Sequence, residues 1–126
     1  MEISLKGKIV LVTGGSRGIG EAFCRALAKA GASVALHFNA NEEKANAVVS
    51  EIETTSKAFQ ADLENSADII LLFEQVKEHF GQIDVLINNA GVAFSSDLGS
   101  NDEEWLKDWD KTFAVNTRAT GLLCKK

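Results

Sequence analysis

The chain has 126 residues, 45% of them hydrophobic and 25% charged, which is long enough and ordinary enough for one globular domain. Its net charge of −5 and the lack of a basic stripe argue against a nucleic-acid partner. The apolar runs are too short for a membrane span or a secretory leader. Two distant cysteines, Cys24 and Cys124, lie in apolar helical patterns and are predicted to be buried free thiols. These features predict a cytoplasmic protein with no membrane partner.

Strand and helix patterns alternate along the chain. Strands are predicted at residues 8–12, 33–38, 57–62 and 83–91, and helices at residues 18–30, 41–53 and 66–80. The alternation predicts a doubly wound α/β fold with a parallel sheet, formed as one domain over residues 1–126. Ligands of such sheets bind at the carboxyl ends of the strands. In the first helix, apolar side chains at three- and four-residue spacing are predicted to face the core: Ile19, Phe23, Ala26, Leu27 and Ala30.

A last helix is predicted to begin at a capping box formed by Ser100 and Glu103. Large side chains recur in it every four residues, and this spacing indicates one continuous α-helical face: Trp105, Trp109, Phe113 and Thr117.

The loop after the first strand, TGGSRGIG at residues 13–20, is rich in glycine. Its glycine spacing does not fit the generic dinucleotide pattern G-x-G-x-x-G. A phosphate-binding P-loop is excluded because Glu21 stands where that motif needs a lysine. Glycines without a Cβ would let a pyrophosphate approach the backbone, and the following helix would direct its free N–H groups at the same anion. A glycine turn with no ligand is the alternative.

The spacing T-G-x-x-x-G-x-G resembles that of the short-chain dehydrogenase/reductase family, and in particular its 3-oxoacyl-[acyl-carrier-protein] reductase-like members. The resemblance covers all 126 residues and implies a Rossmann fold, of which this chain holds the first four strands and their helices. It also implies that the loop binds the dinucleotide through Gly14, Ser16, Arg17, Gly18, Ile19 and Gly20.

The end of the second strand indicates which dinucleotide is bound. NAD-selective Rossmann proteins carry there an acidic residue that bonds the ribose 2′-OH, whereas this chain carries Phe38 followed by Asn39. Arg17 could pair with a 2′-phosphate through its guanidinium, although it could also be an ordinary solvated arginine. Both features resemble members that prefer NADP(H) over NAD(H), and this preference is our expectation.

Three further positions match the family. Asp62 with Leu63 corresponds to the aspartate beside the adenine, although Asp62 could equally be a carboxylate that flanks a helix. The run Asn88-Asn89-Ala90-Gly91 matches the family's N-N-A-G, which places Asn89, Ala90 and Gly91 near the cofactor ribose. Asn116 matches the asparagine that holds a water in the family's proton relay, and it is the one catalytic residue expected here.

The two histidines, His37 and His79, have no acidic or cysteine neighbours in the pattern of a metal site, and no metal is expected. No chemistry is assigned to either of them.

Hydride transfer in this family needs a tyrosine, a lysine four residues later and a serine upstream, and this chain contains no tyrosine. We therefore expect a cofactor-binding part truncated at its C-terminus and inactive alone. The resemblance implies that the whole protein is a homo-oligomeric oxidoreductase that transfers hydride between NADP(H) and a small carbonyl substrate. Two alternatives stay open: a stand-alone nucleotide-binding or sensing module, and an interaction half that a separate chain completes.

Overall fold

The computed structural model describes residues 3–94 and 96–126. The strands are β1 (Ile9–Val12), β2 (Ser33–Phe38), β3 (Ser56–Gln60) and β4 (Val85–Ile87). The helices are α1 (Gly18–Lys29), α2 (Glu42–Glu51), α3 (Ser66–Phe80), α4 (Asp102–Phe113) and α5 (Ala119–Lys125). A π-helical segment, Ala114–Arg118, joins α4 directly to α5. The last predicted strand was too long, since only Val85–Ile87 of residues 83–91 pair with a neighbour.

The four strands form one parallel sheet in the order β3-β2-β1-β4. The chain moves outward from β1 to β3 and then crosses back to place β4 on the other side of β1. This reversal is the topological switch point at which doubly wound sheets bind ligands. The predicted parallel α/β fold is confirmed, and the loops after β1 and β4 meet at that point.

The sheet is covered on both faces, as its continuous apolar strands require. Val12 and Leu36 face the layer of α1 and α2, whereas Leu11 and Ala35 face the layer of α3 and α5. All four residues of β1 are buried. The central strand therefore holds the end of the glycine loop in a fixed place.

The core-facing side of α1 differs from the prediction. Its buried residues are Gly20, Cys24 and Ala28, while Ile19 and Phe23 are exposed. Small residues occupy this side because α1 lies very close to the sheet. A Cβ added to Gly15 would stand 2.9 Å from Cys24 Sγ and 2.8 Å from a carbon of Leu36. The bulkier side chains are thus displaced, with Ala26 exposed and Leu27 and Ala30 half-buried.

The start of the last helical segment also differs from the prediction. The N-cap of α4 is Asn101, whose Oδ1 accepts a hydrogen bond from the Glu104 N–H at 2.9 Å. Ser100 cannot serve as the cap because its hydroxyl donates to the Asp97 carbonyl at 2.6 Å in the preceding turn.

The predicted single α-helical face is wrong because the π-helical segment interrupts it. Trp109 and Phe113 are exposed, whereas Val115 and Leu123 face the sheet. Cys124 follows Leu123 and is exposed on the other side of α5, so only Cys24 is the buried thiol that we expected.

Within residues 3–94 and 96–126, no helix has the length and apolarity needed to cross a membrane. In the same residues, no cluster of three or more histidine, cysteine or acidic side chains could hold a metal ion.

Candidate functional site

A cleft of about 530 Å³ opens at the carboxyl ends of the strands, a volume typical of small-molecule sites. It contains every predicted cofactor-binding residue except Gly20: Gly14, Ser16, Arg17, Gly18, Ile19, Phe38, Asn39, Asp62, Leu63, Asn89, Ala90 and Gly91. It also contains residues that sequence reasoning did not single out as cofactor-binding: His37, Ala40, Asn41, Lys44, Glu64, Val92, Phe94 and Val115. Asn116 is not in the cleft wall.

The glycine loop needs its glycines for two different reasons. Gly14 and Gly18 have positive φ angles of 64° and 57°, which side chains rarely adopt. Gly18 has no heavy atom within 4 Å of an added Cβ, so its backbone is open to the cleft. A Cβ on Gly20 would instead stand 2.0 Å from the Gly14 carbonyl oxygen. Gly20 therefore lets α1 pack against its own loop and does not form the wall.

The first turn of α1 differs from those of α2, α3 and α4. Each of those three helices has an asparagine at its N-cap that accepts a backbone N–H: Asn41, Asn65 and Asn101. The N-cap of α1 is Arg17, whose side chain makes no capping hydrogen bond. A guanidinium has only donors, so it cannot accept from the helix N–H groups. The positive end of the α1 dipole therefore faces the cleft, which is the arrangement that binds anions.

The loop after β4 is tied to the glycine loop. The Thr13 hydroxyl oxygen accepts from the N–H groups of Asn89 and Ala90, both at 3.0 Å. Asn89 Nδ2 donates to the Gly14 carbonyl at 3.1 Å. Thr13 thus supports two cleft loops from below, a role that its position at the head of the glycine motif could have suggested.

Two cationic side chains, Arg17 and Lys44, line the side of the cleft that contains Phe38 and Asn39. Arg17 is exposed, and Lys44 Nζ lies 4.0 Å from a carboxylate oxygen of Glu21. Sequence reasoning missed Lys44 because it belongs to α2, beyond the strand-end position where dinucleotide selectivity is usually sought.

Asp62 and Leu63 form another part of the wall. Asp62 Oδ1 accepts from the Glu64 N–H at 2.9 Å, which fixes the carboxylate in the turn before α3. Leu63 is buried beside it. The two residues therefore present one carboxylate and one apolar surface at the β3 end of the cleft.

His37, to which the sequence assigned no role, lies buried in the wall of the cleft. Its Nδ1 is 3.0 Å from the Gly14 backbone nitrogen, and its Nε2 is 2.9 Å from the Ala61 carbonyl oxygen. Burial lowers the pKa of the His37 imidazole, an effect that the hydrogen bond to Ala61 partly opposes. No signal within the sequence could have paired it with Gly14 and Ala61, since these contacts arise from the fold.

Asn116 lies in the π-helical segment and contacts the end of the β4 loop. Its Oδ1 accepts from the Val92 N–H at 2.8 Å, and its Nδ2 donates to the Val92 carbonyl at 2.7 Å. Both polar atoms of the side chain are therefore used to hold the backbone of Val92. This geometry makes Asn116 a clamp on the loop that follows Gly91.

A family model for short chain dehydrogenases matches residues 8–126 of the chain. A hydroxynaphthalene reductase-like protein Arp2 of Metarhizium guizhouense is 40% identical over 119 residues, which cover 92% of this chain and 43% of that protein. The short chain dehydrogenase mdpC of Emericella nidulans is 38% identical over 125 residues, with coverages of 97% and 46%.

Solved structures give the same result. A blue fluorescent protein from a metagenomic library, in complex with NADPH, superposes with a TM-score of 0.88 at 37% identity. The match covers 97% of this chain and 50% of that one. A short chain dehydrogenase of Burkholderia cenocepacia in complex with NADP has a TM-score of 0.88 at 40% identity, with coverages of 96% and 49%. This chain thus spans about half the length of the relatives that it matches.

Proposed function

Because the chain belongs to the short-chain dehydrogenase/reductase family, we propose that its cleft binds a nicotinamide dinucleotide and prefers NADP(H) to NAD(H). The observation that carries this proposal is the meeting of an uncapped helix N-terminus with two cations in one cleft. The N–H groups of the α1 N-terminus suit a pyrophosphate, and Arg17 with Lys44 suits the additional phosphate of NADP(H).

The cleft fits such a cofactor in its shape as well as its charge. The open backbone at Gly18 leaves room for phosphate oxygens. The buried ring of Phe38 stands where NAD-selective proteins carry an acid, so no carboxylate repels a 2′-phosphate there. Asp62 and Leu63 would contact the adenine, and Asn89, Ala90 and Gly91 would lie along the ribose of the nicotinamide half. Related chains in complex with NADPH and NADP support this assignment.

The activity that we propose belongs to the whole protein. The bound dinucleotide would supply or accept a hydride at a small carbonyl or alcohol substrate, and this chain would bind and orient the cofactor. Asn116 is our candidate for the proton relay, although its side chain here holds Val92. The sequence contains no tyrosine, so we expect the 126-residue chain to bind cofactor weakly and to catalyse no reduction by itself. We further propose a cytoplasmic homo-oligomer.

Titrations with NADPH and NADH test the dinucleotide preference. We expect the wild-type chain to bind NADPH more tightly than NADH. Arg17→Ala and Lys44→Ala should each weaken NADPH binding several-fold and leave NADH binding nearly unchanged, because only NADPH carries the 2′-phosphate. The double variant Arg17→Ala/Phe38→Asp should shift the preference towards NADH.

The matched control is Arg25→Ala. Arg25 is also an exposed arginine of α1, but it contacts Glu51 at 2.7 Å and lies outside the cleft wall. Its replacement should leave the affinities for both dinucleotides unchanged. Equal NADPH-to-NADH ratios for the wild type and the Arg17→Ala/Phe38→Asp variant would refute the proposed selectivity.

A further inference from the structure

The His37 side chain connects two cleft loops through a neutral ring. Nδ1 faces the Gly14 N–H, which can only donate, so this nitrogen accepts and carries no proton. Nε2 faces the Ala61 carbonyl, which can only accept, so this nitrogen carries the proton and donates. The two contacts together assign the Nε2–H tautomer.

The residue that the ring holds is the pivot of the glycine loop. Gly14 has a φ of 64° and is the first residue after the buried end of β1 and Thr13. Its carbonyl is held by Asn89 Nδ2 at 3.1 Å, and its N–H is held by His37. The next amide, that of Gly15, donates to the backbone carbonyl of His37 itself at 2.9 Å. His37 therefore fixes two successive amides of the loop, one by its ring and one by its backbone.

The other end of the ring reaches the β3 side of the cleft. Ala61 directly precedes Asp62, which lines the same cleft as Gly14. One side chain, 2% exposed, thus sets the spacing between the loop assigned to the pyrophosphate and the loop assigned to the adenine.

We infer that His37 is a positioning residue for dinucleotide binding, which acts by holding the Gly14 amide and the Ala61 carbonyl at a fixed separation. The inference rests on the proposed function for its ligand, and on the structure for its geometry. A histidine that only filled space in the core would be replaceable by an apolar side chain without a change in affinity.

Three substitutions separate the two hydrogen bonds. His37→Asn places an amide oxygen near the position of Nδ1 and can keep the bond from Gly14. His37→Gln places an amide N–H near the position of Nε2 and can keep the bond to Ala61. His37→Leu keeps neither.

The readout is NADPH affinity, measured by titration of the full 126-residue chain. We expect His37→Leu and His37→Gln to weaken binding about three- to tenfold, the worth of one neutral hydrogen bond, and His37→Asn to restore most of it. Thermal melts show whether each variant is folded. Binding by all three variants as tight as that of the wild type would overturn the inference.

A measurement on the wild type avoids dependence on the folding of variants. An N–H···N hydrogen bond transmits a scalar coupling between its two nitrogens, so ¹⁵N NMR should detect one between the Gly14 amide and His37 Nδ1. The Gly14 amide signal should also shift when NADPH is added. A missing coupling would overturn the assigned geometry. A wild-type chain that shows the coupling but binds neither NADPH nor NADH would instead refute the proposed function.

Discussion

Two regions of the molecule are built differently. The N-terminal region, residues 3–63, has a fully buried central strand, tightly packed glycines and loops joined by hydrogen bonds. The C-terminal region, residues 84–94 and 96–126, has a half-exposed strand β4 and a helix α4 with no buried residue. The comparison shows that the cofactor cleft depends on close packing in the first region, whereas the second leaves much of its apolar surface open to solvent.

The largest contrast is expected between two glycines. Gly20→Ala should lose several kcal/mol of stability and abolish NADPH binding, because its Cβ would overlap the Gly14 carbonyl. Gly121→Ala has no heavy atom within 4 Å of the added Cβ. It should be neutral or stabilising by up to ~1 kcal/mol, since alanine is the better helix former. Thermal or urea unfolding measures both, and a similar loss for the two variants would remove the distinction between the regions.

The two thiols provide a second contrast. Cys24 is fully buried, and burial, with a smaller effect of Glu21, raises the pKa of its thiol to about 12. Cys124 is exposed. Under native conditions we expect Cys124 to react with a thiol reagent at least ~100-fold faster, because only thiolates that solvent reaches are reactive. The rates should converge in denaturant, and equal native rates would contradict the packing of α1.

The exposed aromatic face of α4 gives a third test. Trp109 stacks on Phe113 with ring centroids 5.4 Å apart, and both remain about half exposed. We expect the isolated chain to self-associate through this face, and Trp109→Lys to weaken that association roughly tenfold. The control is Leu98→Lys, which changes an even more exposed apolar residue outside α4. Sedimentation measures the association, and a monodisperse wild-type monomer would disprove this expectation.

The smallest expected effect concerns pH. His37 is neutral when folded and has a lowered pKa, whereas the unfolded chain takes up a proton near the ordinary value of 6.5. The unfolded state therefore binds more protons below that value, so the free energy of unfolding should fall as the pH drops through 6.5 towards the folded pKa. The slope should be smaller in His37→Asn and unchanged in the control His79→Gln, whose histidine is exposed. Denaturant unfolding between about pH 7.5 and 5.5 measures it.

The sequence predicted the elements and the cleft residues more successfully than it predicted packing. Glycine spacing and apolar runs are local signals, so the strand-loop-helix unit around Gly14 and Gly18 could be recognised from them. The buried side of α1 could not be, because its close approach to the sheet favours Cys24 and Ala28 over the bulkier Phe23. The roles of His37 and Lys44 depend on residues far away in the sequence, which only the fold brings near.

The π-helical segment has a consequence for the length of the chain. A π-turn fits one more residue into a helix than an α-turn does, and each residue of an α-helix turns the chain by about 100°. Removal of one residue, such as Thr117, would convert Ala114–Arg118 to an α-helix and rotate α5 by about that angle relative to α4. Leu123 would then leave the sheet, and Asn116 would lose its alignment with Val92. The segment should therefore tolerate many substitutions at its exposed positions but no single-residue deletion.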